Sequence, residues 1–322
     1  MVRINATLFI TALLLLILPA GCKHAKTSSS NSLSGDLVIF HAGSLAVPFK
    51  EIADSFMVLN PGIQVKAESA GSLASIRKIT DLNRPCDILA SADYSLIDKL
   101  MIPAHASWNM KFAGNEMVIV YQKDPLKSGT INQQNWHSIL LDPEIKFGRS
   151  DPDSDPCGYR TILCLKLAEK YYHQPGLADR FSTKDERYIR PKEVDLLALL
   201  ESGTIDYIFI YKSVAIQHKL AYLELPDSIN LGNPSLQDHY SEVNVRIAGN
   251  KPGEYITQEG EPIVYGLTIP ENCENHGAAK AFVEFMMKNG RKIMEKSGQN
   301  NVGPFLSGNP EKLPENLKPL LK

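Results

Sequence analysis

The sequence predicts an α/β fold of two doubly wound lobes, on three observations. Short apolar runs alternate with amphipathic ones from residue 37 onward, the rhythm of strand–helix–strand units laid into a parallel sheet. The chain has 322 residues, more than a single hydrophobic core encloses economically, which favours two lobes. A short motif also recurs: His41-Ala42-Gly43-Ser44-Leu45 and Ser69-Ala70-Gly71-Ser72-Leu73 share an Ala-Gly-Ser-Leu core, each after a β-like run and before a helical one.

Taken in order, residues 37–40 read as a strand, 47–59 as an amphipathic helix, 64–68 as a strand, 73–79 as a helix and 87–90 as a strand. A further strand covers 116–121. Strands at 145–147 and 206–210, with helices at 158–172 and 194–200, build the second lobe. The strand 263–269 and a closing helix from 278 to about 296 return to the first lobe, so 116–121 and 263–269 are expected to form a two-strand hinge. Lobe one is then 36–117 with 264–322, and lobe two is 118–263. Ligands of open α/β sheets sit beyond the carboxyl ends of strands, here a cleft between lobes, and both Gly-Ser turns fall at such ends.

The first residues bear on location. Arg3, an apolar run over 8–18 and then Pro19-Ala20-Gly21-Cys22 read as a secretory signal, residues 1–21, too short to span a bilayer. Small residues before a Cys resemble a lipoprotein processing site, which makes Cys22 a lipidated new N-terminus followed by a polar tether, residues 22–35. The expected location is extracytoplasmic, on the cell membrane; an ordinary signal peptide cleaved nearby is the other reading.

The 34 basic and 36 acidic side chains leave a charge of −2, which argues against nucleic acid or polyanionic surfaces as partners. Any anion site is therefore local. Cys86, Cys157, Cys164 and Cys273 follow no zinc-ligand spacing, and the eight histidines form no metal-type pair. Cys157 and Cys164 share one predicted helix at a rise of about 10 Å, too far for a bridge; other pairings stay open.

A helix start leaves backbone N–H groups unpartnered at the positive end of the dipole, Gly admits a ligand to the main chain, and Ser adds a donor. Two Gly-Ser turns facing one cleft could grip a small oxyanion, although either alone reads more readily as a helix cap. A third start, Ser154-Asp155-Pro156-Cys157-Gly158-Tyr159-Arg160, places Asp at the N-cap and Pro at the first helical position, with free N–H groups expected to face the same cleft. Cys157 has no base at a telling position, so a nucleophile there is poorly supported. Glu193 by itself complements a helix dipole, and Tyr211 ends a strand as a packing residue. Arg160 could reach an anion but is expected rather to pair with an acid on the helix surface, and His41 to support its loop.

Together these segments, with Arg190-Pro191-Lys192-Glu193 and Asp206-Tyr207-Ile208-Phe209-Ile210-Tyr211-Lys212-Ser213-Val214-Ala215, resemble the archaeal-type molybdate/tungstate-binding proteins of ABC importers. The likeness runs in order over nearly all of the chain after the tether. It implies a type II periplasmic-binding fold that closes on an oxyanion and delivers it to an ABC permease. It also implies no catalysis, no cofactor beyond the molybdate or tungstate ligand, and a monomer. By position it assigns Gly43, Ser44 and Ser72 as contacts from lobe one, Asp155, Pro156 and Cys157 as the helix start of lobe two, and Glu193 and Tyr211 as the remaining contacts. Asp155 and Glu193 would bond the metal itself and raise its coordination to six. The chemistry is sound, because a carboxylate repels a dianion unless it bonds the central atom or receives a proton. Molybdenum and tungsten accept further oxygens and the sulfur of sulfate does not. Another tetrahedral oxyanion, sulfate or phosphate, is the alternative ligand, and a cleft enzyme is the remaining alternative.

Overall fold

The structure is a computed structural model that describes residues 32–122, 131–249, 251 and 253–321; the signal segment, Cys22 and most of the tether lie outside the described residues. Its strands, in chain order, are β1 (Gly35–His41), β2 (Ile63–Ser69), β3 (Ile88–Ser91), β4 (Trp108–Gly114), β5 (Met117–Tyr121), β6 (Phe147–Ser150) and β7 (Ile189–Arg190). They continue with β8 (Tyr207–Tyr211), β9 (Ala221–Glu224), β10 (Asn244–Ala248), β11 (Tyr255–Glu259), β12 (Val264–Thr268) and β13 (Asn300–Gly308).

A six-stranded sheet has the order β13-β4-β12-β3-β1-β2, a five-stranded sheet the order β7-β6-β8-β5-β9, and β10 and β11 form a hairpin. The parallel rhythm holds for β2, β1 and β3, and for β7, β6 and β8. Both sheets are nevertheless mixed. β12 runs antiparallel to β3 and β4, and β5 runs antiparallel to β8 and β9. The chain passes from β4 to β5 through Asn115 and Glu116 with no helix between, leaving the first sheet and entering the second over two residues. The expected hinge strands, 116–121 and 263–269, accordingly sit in different sheets; the direct tie is the Asn115 N–H on the Ile263 carbonyl at 3.2 Å.

Two sequence expectations shift. The strand expected at 145–147 runs over Phe147–Ser150, because its register against β7 continues through the buried polar pair Arg149 and Ser150, beyond the apolar run. The helix from 278 does not close the chain. It runs His276–Phe285, Met286–Gly290 as a π-helical turn and Arg291–Lys296, and β13 follows, paired with β4.

Apolar periodicity explains the packing. The helix Ala46–Leu59 buries Pro48, Phe49, Ile52, Ala53 and Phe56 along one face. Phe49 and Phe56 meet Phe282 of the late helix at ring distances of 6.4 and 5.2 Å, which anchors the chain's last helices on the first sheet. Under the second sheet Trp136 meets Phe181 and Phe209 at 5.8 and 5.6 Å. Strand β8 is buried throughout, so its side chains read as a continuous apolar run.

Candidate functional site

Each functional segment stands at a strand end. β1 ends in His41 and enters the short 3-10 turn Gly43–Leu45; β2 ends in Ser69 and enters the helix Ser72–Thr80. From the second sheet, β6 leads to the helix Pro156–Tyr171, β7 to the turn Glu193–Asp195, and β8 ends at Tyr211. The two groups touch. A Cβ on Gly43 would lie 2.6 Å from Glu193 Oε2 and 2.7 Å from Oε1, so the Glu193 carboxyl occupies the space that a side chain would need. A Cβ on Gly71 would lie 2.2 Å from the Ser154 carbonyl oxygen and 3.1 Å from Asp155 Cβ. Both glycines are required by close approach, since neither has a positive φ.

Asp155 is the N-cap of its helix: Oδ1 accepts from Cys157 N–H at 3.3 Å, and Oδ2 accepts from Glu193 N–H at 2.9 Å. One carboxylate thus ties two site segments together. Glu193 is fully buried, and neither of its carboxyl oxygens has a hydrogen-bond partner among the described residues. Burial, then the Asp155 charge, pushes the Glu193 carboxyl well above its ordinary range. Burial raises Asp155 as well. A buried acid pair in which both Glu193 oxygens are unsatisfied holds protons avidly and is equally able to bond a Lewis acid.

The expectation of free N–H groups at the third helix start is corrected. Pro156 has no N–H, the Cys157 N–H is taken by Asp155, and the Gly158 N–H bonds the Asp155 carbonyl at 3.0 Å. Pro156 and Cys157 therefore shape the start, and both oxygens of the buried Asp155 carboxyl are engaged there by N–H groups. The Cys157 thiol faces the Phe209 carbonyl at 3.8 Å, and burial pushes its pKa well up, which keeps it protonated. All four cysteines of the described residues are free and buried.

The three hydroxyls occupy buried positions. Ser44 Oγ lies 2.9 Å from the Tyr265 hydroxyl, Ser72 Oγ accepts from Ala92 N–H at 3.0 Å, and the Tyr211 hydroxyl accepts from Arg160 Nη1 at 3.0 Å. The Ser44 carbonyl is held by the side-chain amides of Gln217 at 3.1 Å and Gln299 at 3.0 Å. His41 donates through Nδ1 to the Ala42 carbonyl at 2.8 Å, and burial lowers its pKa, so it stays neutral beside the first turn.

With this geometry in place, similarity to known proteins decides the family. The pattern of the bacterial extracellular solute-binding proteins matches residues 37–300. The chain belongs to that family. An uncharacterized solute-binding protein of Petrotoga mobilis is 48% identical over 295 residues, covering 91% of this chain and 92% of its own. The molybdate/tungstate-binding protein WtpA of Thermococcus kodakarensis is 36% identical over 347 residues, covering 98% of this chain and 96% of its own. Among solved structures, the periplasmic molybdate-binding protein of Azotobacter vinelandii matches with a TM-score of 0.60 at 18% identity, over 82% of this chain and 98% of that one, a likeness of fold alone. No helix among the described residues of this solute-binding protein is long and apolar enough to cross a membrane.

Arg160 is the largest departure from the sequence reading. It is buried rather than on a helix surface, and its acid partner is Asp93, 3.2 Å away at the head of the helix Tyr94–Leu100 of the first sheet. Arg160 also donates to the Ala92 carbonyl at 2.6 Å. Asp93 further accepts from Tyr159 and, at 3.1 Å, from Gln258. Sequence reasoning did not find Asp93, Asn115, Gln258 or Tyr265, because each lies far along the chain from every motif. Tyr159 and Arg160 stood in the third motif and were readable only as helix residues.

Proposed function

We propose that this chain is an extracytoplasmic binding protein that captures molybdate or tungstate between two lobes, residues 36–117 with 264–322 and residues 118–263, and hands it to an ABC permease. The observation that carries this reading is the pair of buried carboxyls, Asp155 and Glu193, set against two Gly-Ser turns suited to an anion. Negative groups beside a dianion are costly in a buried site unless they bond its central atom. Molybdenum and tungsten can take two more oxygens and complete six-coordination, replacing the proton that the empty pair would hold. Gly43, Ser44, Ser72 and Tyr211 then bind the four oxyanion oxygens, and Pro156 and Cys157 hold Asp155 in place. Support comes also from the WtpA relative, whose name records a molybdate/tungstate ligand.

The reading includes no catalysis and no resident cofactor, a monomer in solution, and anchoring through lipidated Cys22. Calorimetry with tungstate, molybdate, sulfate and phosphate at neutral pH is the test. Tungstate and molybdate should bind far more tightly than the other two, and sulfate binding of equal strength would overturn the six-coordinate site. Cys22→Ser should release the protein from the membrane fraction; unchanged fractionation would remove the anchor from the reading.

A further inference from the structure

A hydroxyl can either donate to an anion or turn a lone pair toward it, and only the first attracts. Hydrogen bonds behind each hydroxyl decide which occurs. Asn115 Oδ1 accepts from the N–H groups of Glu116 at 3.0 Å and Ser213 at 3.3 Å, which fixes the amide so that Nδ2 is the donor 2.8 Å from the Tyr265 hydroxyl. With its oxygen accepting from Asn115, Tyr265 has its own proton free to donate to Ser44 Oγ, 2.9 Å away. In that arrangement Ser44 accepts from Tyr265 and keeps its own proton for the ligand. Tyr211 is set the same way, since the Arg160 guanidinium has no acceptor and can only donate to the Tyr211 oxygen. Ser72 receives a backbone N–H from Ala92 and needs no side chain to orient it.

We propose that Tyr265, held by Asn115, and Arg160 are positioning residues that set the Ser44 and Tyr211 hydroxyls as donors toward a fully deprotonated oxyanion. This rests on the reading above that Ser44 and Tyr211 face the anion. Tyr265 and Arg160 touch no ligand in this scheme and act through the hydroxyls they orient. The carboxyl pair and the oriented hydroxyls divide the work: the first bonds the central atom, the second binds its oxygens.

A double-mutant cycle tests it, with tungstate binding measured by calorimetry on wild type, Tyr265→Phe, Ser44→Ala and the double variant. Tyr265→Phe keeps the ring and should weaken tungstate binding about tenfold, as Ser44→Ala does, because the orienting bond is lost. The double variant should bind no more weakly than Ser44→Ala alone, since Tyr265 acts only through Ser44. Unchanged affinity in Tyr265→Phe, or losses that simply add, would overturn the proposal while leaving the oxyanion function standing. Absence of tungstate and molybdate binding by wild type would overturn both. Should Tyr265→Phe not fold, Arg160→Met, which removes the donor, against Tyr211→Phe applies the same comparison, with non-additive losses expected and additive ones refuting.

Discussion

Asp155 and Glu193 bear the sharpest test at the level of single residues. As caps alone, their amides would reduce negative charge near the anion and bind it equally or better; as metal ligands, the amides are poorer donors. Asp155→Asn and Glu193→Gln should each weaken tungstate binding by at least about tenfold, and X-ray absorption should show fewer than six oxygen neighbours. Tighter binding by both variants would refute the ligand role. The same burial has a pH signature. Unfolded, these carboxyls titrate at 3.8 and 4.5; folded, both hold their protons to higher pH. The anion-free folded state therefore binds more protons above the unfolded values, so their contribution is intact below those values and is lost as pH rises through the folded ones. In melts without anion, wild type should lose stability relative to Glu193→Gln as pH climbs above 4.5. A pH-independent gap between the two proteins would show that Glu193 is not shifted. Of the site residues, Glu193 was legible only through the run Arg190–Glu193, because an acid before a helix has an ordinary capping role and its burial follows from Gly43, far away in sequence.

Among elements, the turns at the ends of β1 and β2 work because glycine allows contact between the two sheets' loops. Gly71→Ala places a methyl 2.2 Å from a main-chain oxygen of Ser154 that has no freedom to rotate away. The variant should fold, bind tungstate at least about tenfold more weakly and show a larger radius of gyration in scattering with tungstate present. Full affinity would mean that the turn and the Ser154 loop are apart when the ligand is bound. The strand–helix order over 37–90 was readable because apolar period and turn chemistry agree there. β4 and β13 were not, since their pairing is antiparallel, irregular and set by partners nearly two hundred positions away.

For the molecule as a whole, a ligand held by both sheets' loops, as proposed, would stabilise the folded state by linkage. Tungstate at a hundred times its dissociation constant should contribute about 2.7 kcal/mol, and the melting temperature should rise with the logarithm of its concentration. Scattering should show compaction on saturation; an unchanged radius of gyration with full binding would argue that the two lobes do not close on the ligand.

The sequence by itself determined the local chemistry: strand ends followed by Gly-Ser helix starts, the Asp155-Pro156 cap, and the buried apolar faces, all of which depend on neighbours a few residues apart. The tertiary structure alone decided which of these meet. Asp93 with Arg160, Asn115 with Tyr265, and Gly43 with Glu193 are each joined across long stretches of chain. The passage between sheets belongs to the same division, because only the fold shows that the short link through Asn115 carries the chain from one sheet to the other. Periodicity reports which face of an element is buried, whereas the partner of a buried polar group is selected by where the whole chain comes to rest.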